Sequence, residues 1–393
     1  MNSFTRGALA AVAATLIACV GSAEAQMMGY APQPGYGYGG GQPMGYREAS
    51  PQMGPQYVPA QMVGNGGSSD PAYQMPPGGA MEQGAPPSGG EGDAAGDGTC
   101  PALPPGTCYC PRWTASADGL WMTRWGGHSQ PLITAGGTPG AGADMVSTTG
   151  LPFNIAGGPR ADVIYHSDSK LEIEFCGFLI DGFHAMDAET AAGGVSFSGA
   201  GLTASSPVMA FDYLSRLYST EINFRRPASD NITLFLGIRW IELDEQLNGS
   251  GMGTNFLTIN TINHMYGVQA GADATLWTPS QGSPLRIDGL VKGGVYDDRG
   301  DQNSAGVTTA GLPESASSFD DHVAFYGEAS LTACYQLSKH VAARVGCQAA
   351  WMQSVALATN QLMTTNLATG TAKCDMSGGL FYIGGFIGLE VDY

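Results

Sequence analysis

The chain has 393 residues, with 34 Asp plus Glu against 16 Lys plus Arg and a formal charge of −18 at pH 7. That balance excludes a nucleic-acid binder, which needs a basic surface to release counterions, and only 13% of residues are charged, about half the share of a soluble domain. After residue 20 no run of 18 apolar residues offers a transmembrane helix, so what remains is a chain that hides its hydrophobicity by alternating it, as a transmembrane β-barrel does.

Met1 to Arg6 reads as the charged start of an export signal, and Gly7 to Val20 as its apolar core. Ala23-Glu24-Ala25 supplies the small residues of a cleavage site before Gln26, which places a signal peptide at 1–25. Leu16-Ile17-Ala18-Cys19 also fits a lipobox and leaves lipidation of Cys19 open. From 26 to 98, 30 of the 73 residues are Gly or Pro, and Arg47 is the one basic residue. Such a stretch buries too little apolar area to offset its ordering entropy. Residues 26–111 are therefore expected to be a disordered periplasmic linker, with peptidoglycan or another envelope protein as its open partner. Cys100, Cys108 and Cys110 fall near its end. Export favours a disulfide among them, and their spacing is not the C-x-x-C of a zinc site. One of the three is left over to pair elsewhere. No metal and no cofactor are expected.

From Trp113 onward the hydrophobic period is two. Leu171, Ile173 and Phe175 oppose Glu172 and Glu174, and Tyr218, Ile222 and Phe224 oppose Glu221, Asn223 and Arg225. Ile232, Leu234, Leu236, Ile238 and Trp240 oppose Thr233 and Arg239, and Val323, Phe325, Leu331 and Tyr335 oppose Glu328 and Thr332. About ten strands are predicted, at 113–125, 158–166, 169–181, 211–226, 230–245, 262–278, 284–297, 321–338, 340–354 and 379–393. Their connections alternate short and long, with long external loops at 126–157, 182–210, 246–261, 298–320 and 355–378. That asymmetry belongs to an outer-membrane barrel and puts both termini in the periplasm. The six Trp fall mostly near strand ends, as interface girdles do. Strands running well beyond ten residues argue against a soluble sandwich, whose strands average five or six. The last strand carries Ile387, Leu389, Val391 and Tyr393 on one face, a terminal pattern of the kind read by the barrel assembly machinery. The fold expected for 112–393 is all-β: an antiparallel transmembrane barrel, with outer-membrane lipid as its partner.

The inward charges are Glu172, Glu174, Glu221, Asp273, Asp288 and Glu328 against Arg225, Arg239, Arg286, Lys292 and Arg344. Six against five is nearly neutral, so cross-lumen pairing and a plugged or narrow barrel are expected. Asp297-Asp298 and Asp320-Asp321-His322 flank one loop and resemble the rim site of omptin-type proteases. The same residues suit an acidic rim, no second motif supports chemistry, and an enzyme is not expected.

Several segments carry a family resemblance. They are Ser215-Arg216-Leu217-Tyr218-Ser219-Thr220-Glu221-Ile222-Asn223, Leu236-Gly237-Ile238-Arg239-Trp240-Ile241-Glu242-Leu243-Asp244-Glu245, Asn263-His264-Met265-Tyr266-Gly267-Val268-Gln269-Ala270-Gly271, and the stretch around Val345-Gly346-Cys347-Gln348-Ala349-Ala350-Trp351. In that order they are similar to the seventh beta-barrel porin family of planctomycete outer-membrane proteins, over about 110–393. The resemblance implies an outer-membrane barrel of poorly defined function and carries over no catalytic residue. Cys347 stands where the family tends to have Tyr. The function expected is structural, a surface-exposed envelope protein with long external loops, with a narrow porin-type channel as the alternative and a rim protease behind it.

Overall fold

The computed structural model describes residues 111–393, apart from 137, 139–141, 281 and 309–310. The signal peptide, Cys19, the linker and the cysteines at 100, 108 and 110 lie outside the described residues.

In chain order the strands are β1 (Trp113–Gly126), β2 (Pro131–Ala135), β3 (Asp144–Ser147), β4 (Ala156–His166), β5 (Glu172–Gly199), β6 (Leu202–Ser229) and β7 (Ile232–Gly251). They continue as β8 (Thr254–Trp277), β9 (Leu285–Val307), β10 (Pro313–Gln336), β11 (Val341–Val355), β12 (Thr365–Asn366), β13 (Thr371–Ala372) and β14 (Gly378–Asp392). β1 pairs with both β4 and β14, and β5 with β6, so ten antiparallel strands close into a ring: β1, β4 to β11, and β14. Closure satisfies every wall strand on both edges, which an open sheet cannot do. The seam is tied at one rim, where Arg112 and Trp113 N–H groups donate to the Tyr393 carbonyl at 2.8 and 2.9 Å.

The alternation read in the sequence is the alternation of the wall. Phe224, Leu234, Leu236, Ile238, Val268, Val291, Val295, Val323, Ile387 and Leu389 are exposed on the outer face, while Glu221, Arg225, Arg239, Lys292 and Glu328 are buried inside. Aromatics bound this apolar belt. Trp113 meets Tyr165 at a tilt, with ring centres 4.7 Å apart, at the seam rim, which is the lower end, and the Trp125–Phe381 and Phe325–Trp351 pairs sit at the upper edge.

The wall is lopsided. β5 and β6 have 28 residues each, whereas β1 has 14 and β4 has 11. At about 3.3 Å per residue the tall strands run roughly 90 Å. Three of the predicted long loops are therefore strand. Residues 182–210, 246–261 and 298–320 continue β5–β6, β7–β8 and β9–β10 upward. Two-residue turns join the first two pairs. Ala200-Gly201 and Met252-Gly253 all have φ between 50 and 78°, the positive-φ signature of the turn that matches strand twist. The connection at 127–155 lies against this tall side, with β2 pairing to β5 through Thr134–Ser196 and Ala135–Val195.

The fifth long connection, predicted external, folds inward. Ser354 adopts φ 63° at a bulge in β11, a left-handed kink that turns the chain into the lumen. Val355 to Asn360, Leu362 and Leu367 are all buried. A helical turn at Gln361–Thr364 and the small β12–β13 hairpin give this plug its shape.

Candidate functional site

The lumen is built from the inward residue of each strand pair, and it is layered. In the lowest layer, Arg225 bonds Glu174 at 2.8 Å and Asp273 at 2.9 Å, and lies 3.5 Å from Glu172. Arg239 and Lys292 share two carboxylates. Glu221 lies 3.2 and 2.7 Å from them, and Glu328 lies 3.3 and 3.5 Å away. Arg286 bridges Asp288 at 2.8 Å and Glu390 at 2.5 Å, while Arg344 hangs between Asp118 and Glu390 at 4.0 and 3.8 Å. Ionised groups at such depth are tolerated because each has an opposite charge beside it.

This layer surrounds a cavity of about 860 Å³ that reaches the lower rim at Arg112, Ser167, Asp168 and Asn231. Its roof is apolar. Phe178, Ile180, Phe183, Tyr296, Tyr326, Met352, Tyr382 and Phe386 form one buried cluster across the barrel. Two guanidinium groups mark the boundary: Arg239 lies 4.3 Å from the Tyr326 ring centre and Arg160 lies 4.0 Å from that of Phe386.

Above the roof sits the plug, latched to the wall by three side chains. Glu245 accepts from Arg124 at 2.5 Å, from Tyr213 at 2.5 Å, and from the plug's Ala358 N–H at 3.1 Å. Asn263 both donates to the Ala356 carbonyl at 2.8 Å and accepts from its N–H at 2.6 Å. Gln302 adds a bond to Thr365. On β9 the inner face offers Gly300, where a Cβ would lie 2.3 Å from Met376 Sδ. Cys374 donates to the Gly300 carbonyl at 3.5 Å, and burial, then Asp320, push its thiol up to about 12.

No family model and no curated protein matches the chain. Among solved structures, it is similar to the outer membrane protease OmpT from Escherichia coli, at TM-score 0.41 and 10% identity, over 71% of this chain and 97% of that one. It is also similar to the translocator domain of the autotransporter NalP from Neisseria meningitidis, at TM-score 0.35 and 11% identity, covering 72% and 90%. A third is the Pseudomonas putida toluene transporter TodX, at TM-score 0.28 and 10% identity, covering 72% and 91%.

All eleven charges predicted for the lumen face inward, and each stands within 4.0 Å of an opposite charge. The sequence reading missed Asp118, Arg160 and Glu390 in the lower layer, and Arg124 and Glu245 above. Glu390 was legible between Leu389 and Val391. Asp118, between Ala117 and Gly119, and Arg124, beyond Leu120 and Met122, were not, because β1 turns those two apolar residues inward and so blurs the polarity contrast between its faces.

The rim set does not converge. Asp297 and Asp321 line an outer hollow, whereas Asp298 is buried on the inner face, across from His322 in the β9–β10 register. Cys176 and Cys334 line the lower cavity. Cys347, between outward residues, is packed over and 6% exposed. Ile387, Leu389, Val391 and Tyr393 all lie exposed on the outer face.

Proposed function

We propose that the chain is an outer-membrane β-barrel with a sealed lumen and a structural role in the cell envelope. One observation carries the membrane reading: hydrophobicity changes sides along single, unbroken strands. On β7 the apolar residues, Phe235 excepted, point outward from Ile232 through Leu234, Leu236 and Ile238 to Trp240, and then inward at Ile241, Leu243 and Leu247. The outward residues above that point are Glu242, Asp244, Gln246, Asn248 and Ser250. A strand with polar lumen and apolar exterior below, and the reverse above, fits lipid below and water above. On β9 the outward apolar run is 285–295, the nine to eleven residues a tilted strand needs to cross a bilayer.

The rim where Trp113 and Tyr393 meet is then the periplasmic one, since the export signal and linker precede β1. The resemblance to the planctomycete porin family belongs to the same reading. Two stacked seals, the aromatic roof and the latched plug, support a structural barrel over an open pore. The cavity open from below supports the second reading, a narrow channel that conducts only when the plug withdraws.

Reconstitution into planar bilayers tests both. Protein shown to be folded and inserted is expected to give no stepwise current. Steady unitary conductance from the intact chain would replace the structural reading with the channel.

A further inference from the structure

The last stretch of the plug carries two sulfurs on a fixed backbone. Residues 373–377 lead into β14, and Cys374 and Met376 are both buried, at 2 and 6% exposure. Gln361 clamps the residue between them. Its side-chain carbonyl accepts from the Asp375 N–H at 2.8 Å, and its amide donates to the Asp375 carbonyl at 2.9 Å. Cys374 Sγ and Met376 Sδ stand 3.7 Å apart. Both lie against Gly300 on the inner face of β9, where a side chain would displace the thioether.

Asp298 lies two residues below Gly300 on that same face. It is fully buried, at 0% exposure, and neither of its oxygens has a hydrogen-bond partner. A buried carboxylate left in that state is costly. Core packing accounts for two sulfurs in contact, but not for an orphaned carboxylate beside them. Every charge felt at the Cys374 thiol is negative: after burial, Asp320, Asp298, Asp375 and Asp301 all raise it. The field that disfavours a bare thiolate favours a cation held against the sulfur.

We propose that Cys374 and Met376 bind a soft monovalent cation of the copper(I) class, with Asp298 as its buried counter-charge, so that the ion pins the plug to β9. The inference stands whether or not the lumen conducts. Thiolate and thioether donors select soft ions over hard ones. Two sulfurs each about 2.3 Å from a shared ion lie about 3.8 Å apart at a tetrahedral angle, close to the spacing between Cys374 and Met376. Among the described residues no three His, Cys, Asp or Glu side chains gather as a metal site, so a hard cation is not the candidate. On binding, the S–H bond of Cys374 gives way to a metal–sulfur bond, its proton passes to solvent, and no electron is transferred.

The test uses silver(I), a redox-inert probe of the same softness, added to the full chain folded in detergent. Other thiols on the chain bind silver singly, so glutathione is added to strip them. The silver left after desalting is counted by inductively coupled plasma mass spectrometry. Wild type should retain one ion per chain more than Cys374→Ser. Met376→Leu keeps every thiol and nearly the same core volume, and should lose that same ion. Asp298→Asn should release it at about tenfold less glutathione, the weight of one neighbouring charge. Silver should also slow protease cleavage within 355–376 in wild type and not in Met376→Leu. Equal retention by wild type and Met376→Leu overturns the proposal, because a lone thiol then suffices. So does a wild-type count that Cys374→Ser leaves unchanged.

Discussion

Lys292 shows how much a single lumen charge holds. Its ammonium sits between Glu221 and Glu328 with its side chain 6% exposed, so Lys292→Met would leave Arg239 as the single cation within 4.0 Å of two buried carboxylates among the described residues. Breaking such a pair by removing one partner costs about 3–5 kcal/mol, and urea unfolding in detergent, followed by tryptophan fluorescence, should show that loss. Asp298 is the opposite case. It is buried with neither oxygen hydrogen-bonded, at the height where the outer face has already turned polar. Burial first, then Asp297 and Asp321, push its carboxyl up to about 7 from an ordinary 3.8. A raised acid contributes most below its unfolded value and loses that contribution as pH climbs through the folded one. Asp298→Asn should therefore gain melting temperature over wild type at pH 8 and gain less at pH 4; an equal gain at both would clear the carboxyl of blame. Residues of this kind were hard to find from sequence. The lumen charges between apolar neighbours, such as Glu174 or Arg239, announced themselves by contrast, whereas Asp118 lies between Ala117 and Gly119, which are too small to supply one.

At the scale of elements, the informative failure is the loop prediction. Strands β5 to β10 do not end at 181, 245 or 297; the hydrophobic phase inverts there, and an alternation test reads inversion as termination. Leu247, Leu257 and Ile259 are buried inside the upper wall, so the periodicity persists with the opposite sign. The plug had a signal too, in the apolar run Val355-Ala356-Leu357-Ala358 within a segment expected to face water. Deleting 356–376 with a short Gly-Ser bridge removes one of the two seals and should raise bilayer conductance above the silent wild type; continued silence would make the aromatic roof sufficient. Gly300→Val is a milder probe. Its side chain would occupy the place of Met376 Sδ, and faster protease cleavage within 355–376 should follow.

Across the whole molecule, the pairings that close the ring are the most distant in sequence. Thr114 bonds Asp392 at 2.8 Å across 278 positions, and β1 cannot find its second neighbour until β14 is available. The plug is the connection between β11 and β14, so it travels with the last hairpin. Loop-closure entropy is therefore met late and all at once. The hairpin that closes the ring is thus also the one that carries the filling of its lumen. A barrel lacking only its final strand pair would hold open both its seam and its bore, so one hairpin supplies the wall for the first and the stopper for the second.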